Sequence, residues 1–338
     1  MNGERDRGLW ITAARARGAR HSEGMNPLGS ESVFLVGDAR RAGHPRRWID
    51  GGQFDRPYRG VRALHVDDGG DQPHLQQRTA IVRAALVFAA HMHPAEYFSH
   101  TTAAIMWELP LPLLPDAQPH VSVPGRAPRI RGIHGHQIDP ALSRVVEHPT
   151  YGVRVADAAT TWAMLGGMLR HPYDLVALGD AVVRVPRIPG HSARIERDAW
   201  GTLADLEAAV HAGRRRGASP LREALARIRP GVASRMETWV RLIVIDAGLP
   251  EPVTDHDVFD RHGGFVGCVD LAYPELRIAI EYEGDQHRTD QRQWHRDIEK
   301  HERLADLGWR VIRVSRDQVF RDPASIAQRV RRAIDAAR

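Results

Sequence analysis

Acidic residues with the chemistry of a metal site lie near the C-terminal end of the chain, on two neighbouring predicted strands. Asp270 lies in the stretch Phe265 to Leu271, and Glu281 and Glu283 lie in the stretch Leu276 to Glu283. Because side chains alternate along a strand, Glu281 and Glu283 point to one face. If the turn between the strands has an even length, residue 270 pairs with residue 279, and Asp270 shares the face of Glu281 at about 7–8 Å between Cα atoms.

Two carboxylates at that separation repel each other unless a cation lies between them. Carboxylate oxygens suit Mg²⁺, or Mn²⁺ in its place, and such an ion polarises a phosphodiester and activates water. We therefore predict that Asp270 and Glu281 bind a divalent metal ion. A turn of odd length instead puts Asp270 on the other face of the sheet and removes the site.

Lysine is almost absent from the chain, which limits the chemistry available to it. Lys300 is the single lysine among 47 basic residues, and all the others are arginines. A phosphate-binding loop that ends in Gly-Lys-Ser/Thr is excluded, because no glycine-rich loop precedes Lys300. Most other chemistry that depends on a lysine is excluded as well.

The pattern of residues 232–338 supplies a sheet and helices to position the acids. Apolar spacing predicts elements in the order αββαβα. The helix between the second and third strands makes a crossover connection, so these two strands are expected to be parallel and right-handed. Besides the two strands above, the predicted elements are a helix from Ser234 to Ala247, a helix from Gln293 to Leu307, a strand from Trp309 to Val314 and a helix from Asp322 to Ala336.

Four sequence strings in this region resemble the PD-(D/E)xK nuclease superfamily, and most closely its Vsr-like branch. They are Val269-Asp-Leu-Ala-Tyr-Pro274, Ile280-Glu-Tyr-Glu-Gly-Asp-Gln-His287, Asp297 and Leu307-Gly-Trp-Arg-Val-Ile-Arg-Val314. The resemblance implies a restriction-endonuclease-like sandwich in which Asp270 and Glu281 hold the metal. It also implies that His287 acts near the scissile phosphate, as an acid/base or by positioning water, and that Glu237 is an additional acid on the first helix.

The chain departs from this superfamily at the position of its motif lysine, which is Glu283 here. Only Lys300, on the adjacent predicted helix, can substitute for that lysine. Glu283 and Asp297 complete the set of candidate catalytic residues.

Several of these candidates also have purely structural explanations. Ser234-x-x-Glu237 is also the pattern of a helix capping box, and Asp297 is also placed to pair with an arginine on its own helix. Asp270 and Glu281 are also consistent with a solvated sheet edge. Cys268 has no fixed base partner, so we interpret it as a strand residue rather than a nucleophile.

Residues 30–66 have the pattern of a winged helix-turn-helix. Short helices are predicted at Val33 to Val36, Asp38 to Ala42 and Arg46 to Ile49, followed by a hairpin from Phe54 to Leu64 with a turn at Gly60. In that fold, a helix of the helix-turn-helix pair enters the DNA major groove. The alternative is a small helical cap with a solvated basic face.

Five arginines of this segment are the predicted DNA contacts. Arg46 and Arg47 would face the major groove, and the wing residues Arg56, Arg59 and Arg62 would contact phosphates.

Four strings in residues 39–112 resemble AbiEi-type antitoxin/regulator proteins. They are Ala39-Arg-Arg-Ala-Gly43, Asp50-Gly-Gly52, Tyr58-Arg-Gly-Val-Arg-Ala-Leu64 and Phe98-Ser-His-Thr-Thr-Ala-Ala-Ile-Met-Trp-Glu-Leu-Pro-Leu-Pro112. The resemblance implies a DNA-binding winged helix followed by a small α/β domain. It also implies that a cognate toxin is a candidate partner.

Two His-x-His pairs, His91/His93 and His134/His136, raise the question of a second metal site. On a strand, His134 and His136 share a face, as ligands of one ion must. Two ligands do not make a site, and the spacing fixes no third ligand. We therefore expect surface histidines, or core histidines with ordinary partners.

Composition and length set broader limits. The chain has 338 residues with a formal net charge of +5, which permits a polyanionic partner without requiring one. Its single cysteine excludes an intrachain disulfide and fits a reducing cytoplasm. No apolar run reaches the roughly 18 residues of a membrane span. Residues 1–29 are expected to be a disordered tail, or an over-long start with the true start at Met25.

We therefore predict a multidomain α+β or α/β protein. The expected parts are a tail (1–29), a winged helix-turn-helix (30–66), an α/β middle domain (74–190), a helical connector (191–231) and a nuclease-like domain (232–338). The favoured function is metal-dependent hydrolysis of DNA phosphodiester bonds in the cytoplasm. The alternative is an AbiEi-type transcriptional regulator whose nuclease fold is catalytically degenerate.

Overall fold

A computed structural model describes residues 33–64, 73–284 and 291–338. The predictions for the N-terminal tail and for His287 lie outside these residues. The chain divides into two compact units: Met1–Leu165 with His211–Arg215, and Gly166–Val210 with Arg216–Arg338. The predicted domain boundaries remain predictions. Both units mix helices and sheets, which confirms the α/β character expected from the sequence.

The first unit opens with a small sheet and two short helices. Its elements are β1 (Val33–Leu35), α1 (Val36–Arg41), α2 (Arg46–Ile49), β2 (Phe54–Asp55) and β3 (Val61–Leu64), and the strands lie in the order β1-β3-β2. The expected helix α2 and the hairpin of β2 and β3 are confirmed.

The prediction of a helix at Val33 to Val36 is wrong, because this stretch begins with strand β1, which pairs antiparallel with β3. A run of β-branched and aromatic residues suits a strand, and Phe34 is buried against Trp48 and Phe54.

A second sheet forms the rest of the first unit, with strands in the order β6-β5-β4-β8-β7. Strands β5 and β6 are parallel, and so are β4 and β8, while the other neighbours are antiparallel. The elements are α3 (Pro73–Ala89), β4 (Tyr97–Phe98), α4 (His100–Met106), β5 (His120–Val123), β6 (His134–Gln137), a 3₁₀ turn (Pro140–Leu142), β7 (Val145–Glu147), β8 (Arg154–Ala156) and α5 (Ala158–Met164).

The second unit begins with helices and a short hairpin. Its first elements are α6 (Pro172–Val183), β9 (Arg187–Ile188), β10 (His191–Ile195), α7 (Leu203–His211), α8 (Ala218–Leu225) and α9 (Arg235–Asp246). Helix α6 packs against α8 and α9. The side chain of Arg241, fully buried in α9, bridges Asp180 of α6 and Glu251 beyond the helix, so an ion-pair network ties these helices together.

The C-terminal sheet has the strand order β11-β12-β13-β14, in which only β13 and β14 are parallel within the described part. The parallel pair confirms the predicted crossover, but the predicted order αββαβα lacked β11 and α11. The elements are β11 (Val253–Phe259), β12 (Phe265–Tyr273), a 3₁₀ turn (Pro274–Leu276), β13 (Ile278–Glu283), α10 (Gln291–Asp306), β14 (Arg310–Ser315), α11 (Arg316–Arg321) and α12 (Pro323–Ala337).

Two hydrophobic cores sandwich this sheet. Residues of α9, α11 and α12 pack against one face, on which Ile278 and Ile280 of β13 lie. Leu304 of α10 packs against the other face, on which Ala279 lies. Alternation along β13 therefore directs Glu281 to the α10 face with Ala279.

The predicted pairing of residue 270 with residue 279 is wrong. The observed partner of Ala279 is Ala272, and the paired positions end at Leu271 with Ile280. The register differs by two residues because the turn lies one position later than predicted, at residues 274–277 between the paired Tyr273 and Ile278. Asp270 and Glu281 lie beyond the last paired positions of this ladder.

Within the described residues, no helix is both long and apolar enough to cross a bilayer.

Candidate functional site

The backbone pairing of β12 with β13 ends next to the predicted acids Asp270 and Glu281. The main-chain pairing stops at Leu271 with Ile280, and beyond it the Asp270 carboxylate accepts a hydrogen bond from the Tyr282 amide at 2.8 Å. The side chain thus supplies β13 with an acceptor at the point where the strands separate. This hydrogen bond fixes the orientation of the Asp270 carboxylate.

Glu237 lies close enough to Asp270 for the two charges to interact. Ser234 caps α9 by accepting a hydrogen bond from the Glu237 amide, and the Glu237 carboxylate accepts one from the Ala233 amide at 2.9 Å. Burial of the side chain, and then repulsion by Asp270, raise the pKa of Glu237 above its ordinary value. Glu237 therefore contributes to capping and also belongs electrostatically to the Asp270 site.

This raised pKa predicts a pH dependence of stability. Above the ordinary pKa of 4.5, the unfolded chain releases the Glu237 proton that the folded protein retains. The free energy of unfolding should therefore fall as pH rises from about 5 towards 8. Glu237→Gln should flatten this fall, as measured by urea unfolding across the pH range. The exposed Glu275→Gln is the control, and an identical slope for Glu237→Gln and the wild type contradicts the assignment.

The Glu281 carboxylate contacts two basic residues of α10. Lys300 forms an ion pair with its Oε1, and His301 Nε2 lies 2.6 Å from its Oε2. The side chains of Lys300 and Glu281 are only 22% and 11% exposed, so the pair is largely shielded from water. Burial opposes ionisation of Glu281, but the hydrogen bond from His301 and the charge of Lys300 outweigh it, so the pKa of Glu281 is lowered.

The single lysine of the chain reaches Glu281 because β12 leaves room for it. A Cβ on Gly267 would lie 2.8 Å from Lys300 Cγ and 3.0 Å from its Cδ, so a side chain at this position would displace the lysine stem. Lys300 and His301 lie on α10 one turn before Leu304, which packs on the same sheet face. The apolar spacing of α10 was a signal for this orientation, and it could also have identified His301, which the sequence analysis missed.

The remaining C-terminal candidates have different surroundings. Glu283 forms an ion pair with Arg313 of β14 and is more exposed than Glu281. Asp297 lies on α10, one turn before Lys300 and His301. Cys268 donates a hydrogen bond to Asp255 at 3.1 Å, and burial raises the pKa of its thiol, which disfavours a nucleophilic thiolate.

The predicted DNA-contacting arginines differ in accessibility. Arg46, Arg47, Arg56 and Arg59 are exposed. Arg62 is buried, and its guanidinium donates hydrogen bonds to the Ile49 carbonyl at 2.9 Å and to Asp50 at 2.7 Å. Arg62 therefore holds the end of α2 against the hairpin.

Comparison with known proteins places these features in context. A family model of restriction endonuclease-like proteins, REase_MTES_1575, matches residues 266–334. Two relatives, "Uncharacterized protein Rv2248" and "Uncharacterized protein MT2308" from two strains of Mycobacterium tuberculosis, are each 31% identical to the chain over 217 residues. The match covers 60% of this chain and 74% of each relative.

The chain belongs to the family of these mycobacterial proteins. Its C-terminal part is restriction endonuclease-like, and the matched range contains Asp270, Glu281, Lys300 and His301, whereas Glu237 lies before it. No solved structure matches the chain significantly.

Proposed function

We propose that the protein is a divalent-metal-dependent endonuclease that hydrolyses DNA phosphodiester bonds with its C-terminal residues. The observation that carries this proposal is the ion pair between Lys300 and Glu281. The superfamily pattern that the sequence resembles has a lysine two positions after its motif acid, and this chain has glutamate at that position. Its single lysine instead reaches the same acid from α10.

The acids provide a donor set that fits a hard divalent cation. Asp270 and Glu237 are close enough for their charges to interact, and repulsion by Asp270 contributes to the raised pKa of Glu237. A bound cation would remove this repulsion. We propose Asp270 and Glu281 as ligands of Mg²⁺ or Mn²⁺, with Glu237 as a third carboxylate, because these ions prefer oxygen ligands.

Different residues of the protein would have different roles in hydrolysis. When bound, the metal supplies Lewis-acid polarisation of the phosphodiester and a more acidic water. The Lys300 ammonium would stabilise the negative charge that grows on the phosphate oxygens as water attacks phosphorus and the P–O bond breaks. His301 would hold the Glu281 carboxylate in position through its 2.6 Å contact. The prediction that His287 acts as acid/base stays a prediction.

A plasmid-nicking assay with Mg²⁺ or Mn²⁺ tests this function directly. Wild-type protein should convert supercoiled plasmid to nicked or linear forms, and Glu281→Ala should abolish the conversion. Glu275→Gln removes an exposed carboxylate from the turn before β13 and should retain activity. DNA binding by the wild type without cleavage would favour the alternative of a regulator with a degenerate nuclease fold. Equal cleavage by Glu281→Ala would remove the proposed active site.

We also propose that residues 33–64 bind DNA as part of a winged helix. The order β1-α1-α2-β2-β3 places two short helices before a hairpin, with Arg46 and Arg47 exposed on α2. Arg56 and Arg59 are exposed between the hairpin strands, where they can reach phosphates. Arg62 is omitted from this interface because it is buried. A cognate toxin as partner stays a prediction.

Arg46→Ala combined with Arg47→Ala should weaken a gel shift and reduce its salt dependence. Each lost phosphate contact lowers the slope of log K against log salt by about 0.9. Lost base contacts should cost about 1–3 kcal/mol each at the preferred sequence. The matched control is Arg126→Ala with Arg129→Ala, which removes two exposed charges elsewhere in the same unit. If both double variants bind equally, α2 is not the DNA-binding element.

A further inference from the structure

Three histidines from separate elements come together in the first unit. His100 begins α4, His120 begins β5, and His136 lies in β6, the strand parallel to β5. Each offers one ring nitrogen within 4.8 Å of the other two. The sequence pattern paired His136 with His134, but the fold joins it to two histidines that are distant in sequence.

The spacing of these rings is close to that of ligands around one metal ion. His120 Nδ1 and His136 Nε2 lie 2.9 Å apart. Two nitrogens bound tetrahedrally to zinc at about 2.0–2.1 Å are roughly 3.4 Å apart, so a small separation of the rings would admit the ion. The ring of His100 stacks on that of His136, with centroids 3.9 Å apart.

Burial keeps these imidazoles in the form that binds metals. His100 and His120 are only 7% and 8% exposed. Burial, and then the neighbouring rings, lower the pKa of each histidine in the cluster, which favours the neutral imidazole form. Neutral imidazole nitrogens are ligands for transition metals.

The hydroxyl groups of Ser99 and Ser122 orient the ring of His100. Ser99 Oγ lies 2.9 Å from His100 Nδ1 and accepts a hydrogen bond from Ser122 at 2.7 Å. With two lone pairs, the Ser99 oxygen can also accept the Nδ1 proton, which leaves Nε2 of His100 for a metal. A metal-bound histidine commonly donates its other N–H in this way.

The backbone also constrains the cluster. His100 has a φ of 49°, which is costly for a residue other than glycine, and such strain concentrates at functional sites. The backbone of β6 lies very close to a loop at Gly135. A Cβ at this position would lie 2.0 Å from the Pro128 carbonyl oxygen, so the close approach needs glycine.

We propose that His100, His120 and His136 bind a Zn²⁺ ion within the first unit. Imidazole nitrogens suit zinc, whereas Mg²⁺ and Ca²⁺ prefer oxygen ligands, so this site differs in chemistry from the carboxylate site of the second unit. Three protein ligands leave a fourth position for water or another ligand. His134 is omitted, because its Nε2 pairs with Asp116 at 3.1 Å.

Metal analysis of the full-length chain tests the proposal. Protein stripped with a chelator should take up one Zn²⁺ per chain at this site, with an increase in Tm. Co²⁺ in its place should give visible d–d absorption with nitrogen ligands. His136→Gln should weaken Zn²⁺ binding by more than the roughly 10–100-fold that loss of an outer partner costs. Ser99→Ala keeps all three ligands and should weaken binding by about that 10–100-fold.

Two control variants separate this site from other sources of binding. His93→Gln removes an exposed histidine of the other His-x-His pair and should leave Zn²⁺ binding unchanged. Asp270→Asn disables the proposed Mg²⁺ site and should also bind one Zn²⁺ at the histidines, whatever its nuclease activity. Failure of the folded wild type to retain Zn²⁺, or equal binding by His136→Gln, would overturn the proposal and leave a packed histidine cluster.

Discussion

Lys300→Met should reduce the rate of DNA cleavage by on the order of 10²–10³-fold, the effect of removing one group that stabilises charge in a transition state. Lys300 is the single lysine of the chain and pairs with Glu281. DNA affinity should change far less, because in the proposed complex the exposed arginines make most of the contacts to the DNA backbone. Single-turnover cleavage at saturating protein, with gel shifts in the absence of Mg²⁺, separates the two effects.

The same substitution should also destabilise the fold, and this effect must be separated from catalysis. It leaves the largely buried Glu281 charge without its lysine partner, which costs about 3 kcal/mol for a buried pair. Adding Glu281→Gln to Lys300→Met removes that charge and should recover much of the lost Tm without restoring cleavage.

Arg303→Met is the matched control for Lys300→Met. It removes another cation from α10, one that lies near Asp260 rather than near Glu281. This variant should cleave DNA at close to the wild-type rate. Substantial cleavage by folded Lys300→Met would show that the ion pair is structural only.

The C-terminal helices and strands were largely predictable because their apolar spacing is regular. The Ser234 cap, the parallel pair of β13 and β14 and the long helix α10 follow from local patterns. Strand β11 was missed because its Thr-Asp-His-Asp segment is polar, and its pairing with β12 depends on tertiary contacts. Arg187 supplies part of that context through ion pairs with Asp255 and Asp257.

The site was less predictable than the elements that carry it. Whether Asp270 faces Glu281 depends on the strand register, and a turn one position later than predicted shifted that register by two residues. Both acids lie beyond the last paired positions of this ladder, so their sharing of one sheet face stays a prediction. The apolar spacing of α10 indicates which side of the helix faces the sheet, but the contact of Lys300 with Glu281 also depends on the space at Gly267, which no local pattern encodes.

The histidine cluster was even less predictable from the sequence than the carboxylate site. His100, His120 and His136 are separated by sixteen or more residues along the chain, so their spacing carries no metal-binding signature. Only the strand order β6-β5-β4 brings them together. The local pattern drew attention to His134, whose side chain instead pairs with Asp116.

Asp270→Asn should reduce metal-dependent cleavage by at least about 10³-fold, equivalent to roughly 4 kcal/mol of transition-state stabilisation. Unlike most substitutions that reduce activity this much, Asp270→Asn should not destabilise the protein. The asparagine oxygen can still accept the Tyr282 amide hydrogen bond, and the repulsion that Asp270 exerts on Glu237 disappears. Tm at pH near 8 should therefore be equal to or above that of the wild type when no metal is added.

Added Mg²⁺ provides the decisive contrast between Asp270→Asn and the wild type. A cation that binds the folded wild type raises its Tm, and the variant should lose this increase with its activity. Asp317→Asn removes an exposed carboxylate of α11 and should retain both the increase and the cleavage. Wild-type cleavage by Asp270→Asn, or a marked fall in its metal-free Tm, would contradict a ligand role, because a residue placed for structure alone loses stability rather than chemistry when it is changed.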